Sequence, residues 1–269
     1  MALTSHLPLL QLCHISKRFG AVQALVEVDF EVRAGEVVGL VGDNGAGKST
    51  LVKGISGIFP FDAGEYLFEG RLRIIRSRQD VARLSIEAVY QDLALCDNLD
   101  VVANLYLGRE CSAHQYGGPL AAVDEIVMEK RALDVLRGLA VDLPNVRVKT
   151  AALSGGQRQA VAVARAVMWN SKLVLLDEPT AALGIAQTRQ VLDLIRRLRQ
   201  QGLGVVVVSH QLADIFEVCD RIVVLRLGRN AGDFDAHTTT LDQIVTAITG
   251  NKLGHEAGFK EDDTSRVTL

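Results

Sequence analysis

An α/β fold is predicted for this chain, with a buried sheet whose strands deliver polar residues to one edge. Two observations predict it. The stretch Gly42-Asp43-Asn44-Gly45-Ala46-Gly47-Lys48-Ser49-Thr50 fits the phosphate-binding pattern G-x-x-x-x-G-K-[ST]. It stands where that pattern requires, between the short apolar run Val37 to Val41 and a stretch from Ser49 to Ile55 that can start a helix. Further along, the apolar runs Leu173 to Leu176 and Leu203 to Val208 each give way to polar residues, as buried strands do at a ligand-binding edge.

The loop chemistry explains its residue types. Gly42, Gly45 and Gly47 let successive backbone N–H groups turn toward one anion, and no side chain blocks the approach. Lys48 adds a fixed positive charge for the β- and γ-phosphates, Ser49 a hydroxyl for Mg²⁺, and the helix start a partial positive charge.

The chain of 269 residues is 48% apolar, enough for one large domain or a domain with a subdomain. A net charge of −3 argues against a dedicated nucleic-acid surface. No apolar run approaches the roughly 20 residues that span a bilayer, so a membrane role is expected to come through a partner. The first twelve residues lack a basic region and a small-residue cleavage site, and a cytosolic location is expected. Cys13, Cys96, Cys111 and Cys219 are scattered without a C-x-x-C pair, which suits reduced thiols.

Taken in order, Leu9 to Ile15 and Val26 to Val32 read as strands, the second alternating apolar and acidic residues. Between them, Phe19 is either an aromatic that stacks on an adenine or an ordinary turn residue. After the loop helix, Glu65 to Glu69 is a strand, and Arg71, Arg73, Arg76 and Arg78 form a basic run expected at a solvated edge. Ile86 to Tyr90 is a strand that hands Gln91 to the active edge. Beyond it, Leu93, Leu95 and Leu99 stand among acids as either a partner surface or a small satellite core. Ala121 to Leu139 reads as an amphipathic helix with Ile126, Leu133 and Leu136 inward, inside a helical insertion from about 92 to 163.

Ser154 caps the next helix, and Gly155, Gly156 and Gln157 open it, baring N–H groups as a second anion-binding end. Leu173 to Asp177 is a buried strand ending in a carboxylate that can hold Mg²⁺ through water. The next residue, Glu178, can polarise an attacking water. A helix follows from Thr188 to Arg199, then a strand ending at Ser209-His210, with His210 on the same edge as the loop and Asp177. Ile222 to Arg226 and Ala231 to Asp235 pair about a turn, and Thr240 caps a last helix closed by Gly250. Residues 251–269 read as a polar, mobile tail, leaving one domain over 1–250.

The loop at Gly42 to Thr50, Gln91, the string Leu153-Ser154-Gly155-Gly156-Gln157, Leu173 to Glu178 and His210 resemble, in order and spacing, the ATP-binding subunit of ATP-binding-cassette transporters. The resemblance covers about residues 9 to 250. It implies a P-loop NTPase of RecA-like type, with an antiparallel β subdomain and a helical subdomain, that hydrolyses ATP with Mg²⁺. It further implies Phe19 as the adenine-stacking aromatic and Lys48, Gln91, Glu178 and His210 as the catalytic group, with Ser49, Gln91 and Asp177 on the metal. In that family two subunits face head to tail, each ATP lying between one P-loop and the other subunit's Ser154-Gly155-Gly156 end.

Finer wording is similar to bacterial importers of simple sugars: Val89 to Leu95, Asn104 to Glu110, and Glu178-Pro179-Thr180-Ala181-Ala182-Leu183-Gly184. That implies a pair of identical chains at the cytoplasmic face of the inner membrane, a polytopic permease that docks beside Gln91, and, indirectly, an extracytoplasmic solute-binding protein. Gly184 departs from the family, where an aspartate follows Ala-Leu. The competing reading is a soluble cassette acting on ribosomes or DNA, whose basic or coiled-coil extensions are not seen here. A GTPase or small-molecule kinase has no use for Leu153 to Gln157, and Asn251-Lys252-Leu253-Gly254 lacks the aspartate of a guanine reader.

Overall fold

Strict alternation of side-chain direction along four short strands builds the centre of the molecule. The computed structural model describes residues 7–112 and 123–250. In β3 (Val37–Val41), β7 (Leu173–Asp177), β8 (Gly204–Val208) and β9 (Arg221–Arg226), successive side chains point to opposite faces of the sheet, and both faces are covered. Val37, Val41, Val174, Leu176, Val205 and Val207 join one core, and Val38, Leu40, Leu173, Leu175, Val206 and Val208 the other. A fully buried strand needs apolar residues at every position, which is why these runs do not alternate with polar ones.

With β6 (Ile86–Val89) and β10 (Arg229–Asp235), these strands form a six-stranded sheet in the order β10-β9-β3-β8-β7-β6. All pairs are parallel except β9 with β10. Parallel pairing places Val41, Val89, Asp177 and Val208 at one edge, with Asp177 opposite Val208 and Val89 opposite Leu176. A second, antiparallel sheet of order β2-β1-β4-β5 lies over one face. It comprises β1 (Leu10–Phe19), β2 (Val22–Val32), β4 (Ala63–Phe68) and β5 (Arg71–Leu72). The mixed parallel and antiparallel α/β architecture agrees with the fold class read from the sequence.

Helix α1 (Lys48–Ile55) follows the glycine loop directly. The basic run is more ordered than a solvated edge requires. Arg71 lies on the edge strand, and Ser77 and Asp80 form a capping box that starts the short helix α2 (Arg78–Ala82).

Between β6 and β7 run α3 (Val101–Tyr106), α4 (Glu125–Gly138), a 3₁₀ turn at Thr150–Ala152, and α5 (Gly155–Val167). Helix α4 begins at Glu125 because the Asp124 carboxylate accepts from the Val127 N–H, so the sequence reading of Ala121 as its start is corrected; residues 121 and 122 lie outside the described residues. Its inner face keeps Leu136, with Leu133 half-buried against the core, but not Ile126. Ile126 is 83% exposed, and Met128, Ala132 and Leu136, four residues apart, are the buried stripe. Leu93 and Leu95 pack against the larger core and Leu99 is half-buried, which favours the satellite-core reading of these leucines.

After β7, α6 (Ile185–Gln200) starts three residues earlier than read from sequence, because the Gln187 side chain accepts from the Gly184 N–H. A helix that the sequence reading lacked, α7 (Leu212–Val218), follows His210, and α8 (Leu241–Thr249) is capped by Thr240 and Gly250 as expected. Among the described residues no helix is long and apolar enough to cross a membrane. The tail from 251 onward lies outside the described residues.

Candidate functional site

Four strand ends converge on the glycine loop. Gly42 follows β3 with a φ of 150°, and a side chain there would collide with the Leu225 carbonyl oxygen of β9. Gly47, with a φ of 105°, sits against the Ala24 carbonyl, 2.9 Å from where a Cβ would lie. These two glycines are therefore required by close backbone approach as well as by conformation.

The Lys48 ammonium donates to the carbonyls of Gly42 at 2.7 Å and Asp43 at 3.0 Å, folding the loop around itself. Burial is the main influence on it and lowers its pKa, opposed by the nearby Glu178, Asp43 and Asp177. Asn44, Gly45, Ala46, Gly47, Lys48, Ser49 and Thr50 line a cleft of about 620 Å³, and Gln91, Asp177 and Glu178 line its far side. Burial, and then the adjacent Glu178 charge, push the Asp177 carboxyl above the ordinary range, with Lys53 and Lys48 opposing.

Glu178 is held in a left-handed backbone conformation, φ 52°, which costs a non-glycine residue roughly 1–2 kcal/mol. Its N–H donates to the Val208 carbonyl, and its Oε1 lies 2.9 Å from His210 Nδ1. Strand β7 therefore turns sharply at its end and aims one carboxylate across to the end of β8. The neighbouring Thr180 hydroxyl donates to Asp214 of α7, fixing the chain beyond the turn.

Ser154, Gly156 and Gln157 lie elsewhere. They line a separate cleft of about 360 Å³ with Asp142 and Gln187, sharing no residue with the glycine-loop cleft. The Ser154 hydroxyl accepts from the Gln157 N–H at 3.2 Å, and Gln157 Oε1 accepts from the Ser154 N–H at 3.0 Å. Both side chains are thus engaged in starting α5, and the leading N–H groups of Gly155 and Gly156 are those an α-helix leaves without partners of its own. Phe19 packs edge to face on Phe59, with ring centroids 5.1 Å apart, under the Lys17 ammonium. Near that end the cleft wall is Val22, Gln23 and Ala24.

Sequence reasoning missed that wall, and it placed the β9–β10 turn without its contact to the glycine loop. Gly228 donates to the Ala46 carbonyl at 3.1 Å and accepts from Val26 at 2.8 Å, so the turn buttresses the glycine loop. No local signal marks it beyond an ordinary Leu-Gly turn.

A family model described as ABC transporter matches residues 25–181. The chain belongs to the ABC transporter family. Within that family, it is 44% identical to a xylose/arabinose import ATP-binding protein of Sulfolobus acidocaldarius, over 91% of this chain and 96% of the relative. It is 42% identical to a fructose import ATP-binding protein of Rhizobium meliloti, over 91% and 95%. A ribose import ATP-binding protein of Chromobacterium violaceum is 38% identical over 95% of this chain, which spans 50% of that longer protein. A dimeric bacterial ABC transporter cassette superposes with a TM-score of 0.70 at 26% identity, covering 84% of this chain and 98% of that one. A nucleotide-free ATP-binding cassette of an ABC transporter gives 0.75 at 24% identity, over 91% and 96%, which speaks to the fold alone. This ABC protein thus has the ATP-binding-cassette fold, and its two clefts lie within that fold.

Proposed function

We propose that the chain is the ATP-hydrolysing subunit of an importer for a simple sugar, working as a head-to-tail pair against a membrane permease. The observation that carries the reading is the Glu178–His210 pair, set by a strained turn beside the loop of Lys48. Import, rather than a soluble role on ribosomes or DNA, is supported by the sugar-import relatives that match this chain nearly end to end.

In this reading the N–H groups of Gly42 to Thr50 cradle the phosphates, and Lys48 draws charge from the β- and γ-oxygens. Mg²⁺ fits the donor set: one carboxylate (Asp177), one hydroxyl (Ser49) and one amide (Gln91) line the cleft, and Mg²⁺ sites combine one or two carboxylates with phosphate oxygens. Bound there, it would offset the charge of the β- and γ-phosphates. Glu178 accepts a proton from the attacking water, and His210 orients that carboxylate. Ser154, Gly155 and Gly156 meet the γ-phosphate of the ATP held by the partner copy, since in their own chain Ser154 and Gly156 line a different cleft. Phe19 stacks on the adenine.

The permease docks at the cytoplasmic face of the membrane, in a groove of about 260 Å³ beside Gln91 lined by Tyr90, Leu107 and Trp169. Arg78 and Arg109 stand over the Tyr90 and Trp169 rings at 5.9 and 5.2 Å, and Arg109 also pairs with Glu87, so the groove has an aromatic wall and a rim that carries both signs of charge. An extracytoplasmic solute-binding protein acts through that permease. The test is uptake of labelled xylose, arabinose, ribose and fructose by cells lacking the chain. Loss of uptake of at least one sugar is expected, restored by the wild-type chain and not by Glu178→Gln. Undiminished uptake of all four would contradict the sugar assignment.

A further inference from the structure

The segment after Gln91 is held in an unfavourable shape by a residue that the reaction itself does not use. Leu93 and Ala94 both have left-handed φ angles, 53° and 47°, which for such residues persist only when neighbours enforce them. Their carbonyls accept from one guanidinium: Arg165 Nη2 donates to Leu93 at 3.0 Å and Nη1 to Ala94 at 2.7 Å. Arg165 sits in the last turn of α5, the helix whose first turn carries Gly155 and Gly156 behind the cap Ser154. Arg165 lies eleven residues beyond Ser154, roughly 16 Å along the helix at 1.5 Å per residue.

The far end of the same segment is tied to the same body. Asn104 and Thr150 are completely buried. The Cys96 N–H donates to Asn104 Oδ1 at 2.7 Å, and the Thr150 hydroxyl and the Asn104 amide both donate to the Cys96 carbonyl. Thr150 N–H donates to Leu99 and Ala151 N–H to Asp97, and the 3₁₀ turn they begin runs straight into Leu153-Ser154. The chain from Leu93 to Leu99 is therefore fastened at both ends to the element that presents Ser154. Of the two fastenings, the arginine fork is the one next to Gln91.

We propose that Arg165 is a positioning residue that gears Gln91 to the Ser154 end of α5 within one chain, so that nucleotide met by Gln91 in one cleft sets the helix end offered to the other. The inference rests on the ATPase reading above, in which Gln91 and Ser154 serve two different nucleotides. A fork on two carbonyls suits this role because both contacts must move together; a lysine, a point charge without the planar geometry, can keep only one well.

The experiment measures Mg-ATP hydrolysis by the purified full-length chain, without permease, for wild type, Arg165→Met, Arg165→Lys, Gln91→Ala and Arg165→Met/Gln91→Ala. Arg165→Met keeps the apolar stem and removes the fork. It is expected to leave nucleotide affinity within about twofold, to lower kcat about tenfold and to bring the Hill coefficient to about 1. Arg165→Lys is expected to fall between the two and, should the methionine variant not fold, shows the same loss of cooperativity in smaller measure. In the double variant the losses should not add, since both residues act on one linkage. A wild-type Hill coefficient and kcat in both Arg165 variants, or full additivity with Gln91→Ala, would overturn the proposal while the ATPase reading stands. A wild-type chain that does not hydrolyse ATP would overturn that reading, and this one with it.

Discussion

Glu178→Gln is expected to lower ATP hydrolysis by roughly 10² to 10⁴-fold, the contribution of a positioned general base, while ATP binding is retained. The amide is isosteric and can still meet His210 Nδ1, so the turn between β7 and α6 should hold its shape. With hydrolysis blocked and the phosphate cradle intact, two copies should stay closed on their nucleotides. Size exclusion with Mg-ATP is the measurement: the variant should elute as a dimer where wild type does not. A monomeric variant, or one that hydrolyses at the wild-type rate, would remove Glu178 from the role of base.

The second large effect belongs to Lys48→Ala and falls on binding. Hydrogen bonds to charged groups are worth roughly 1.5–3 kcal/mol, or about 10- to 150-fold in affinity. The ammonium also closes the loop onto the Gly42 and Asp43 carbonyls, so its removal loosens the cradle that aims the N–H groups. Titration calorimetry with ATP should show the weaker binding. Wild-type affinity with lost hydrolysis would mean instead that Lys48 acts only on the transition state.

How far the sequence carries can be judged from individual residues. The placement of Gln91, Asp177, Glu178 and His210 at one edge was legible because each stands at or just past the end of a largely apolar run of strand length, and parallel pairing brings such ends together; the place of Lys48 was legible from the glycine-loop pattern. The contribution of Gly228 was not, because its contact with Ala46 is made by backbone across 182 positions, and backbone atoms leave no residue-type signature. Arg165 was hidden for the same reason: its partners are two carbonyls, and on its own helix it is one cation among alanines and valines. Ile126 misled because its spacing with Leu133 fits a helical stripe, while the packing surface takes the face of Met128, Ala132 and Leu136, about a third of a turn round the same helix. The shared face of the sheet was encoded in local pattern; the braces that hold its loops were encoded in three dimensions only.

In the proposed head-to-tail pair, each ATP is enclosed by the glycine loop of one copy and the Ser154 end of the other. The most direct measurement mixes Lys48→Ala chains with Ser154→Arg chains, each also carrying Glu178→Gln, and counts nucleotides retained per dimer in Mg-ATP. In the head-to-tail arrangement both lesions fall in one cleft of the mixed pair and the other cleft is whole. Each variant alone should fail to dimerise, and the mixture should give dimers that hold one ATP per two chains. A mixture that retains no more nucleotide than its separate components would contradict the arrangement.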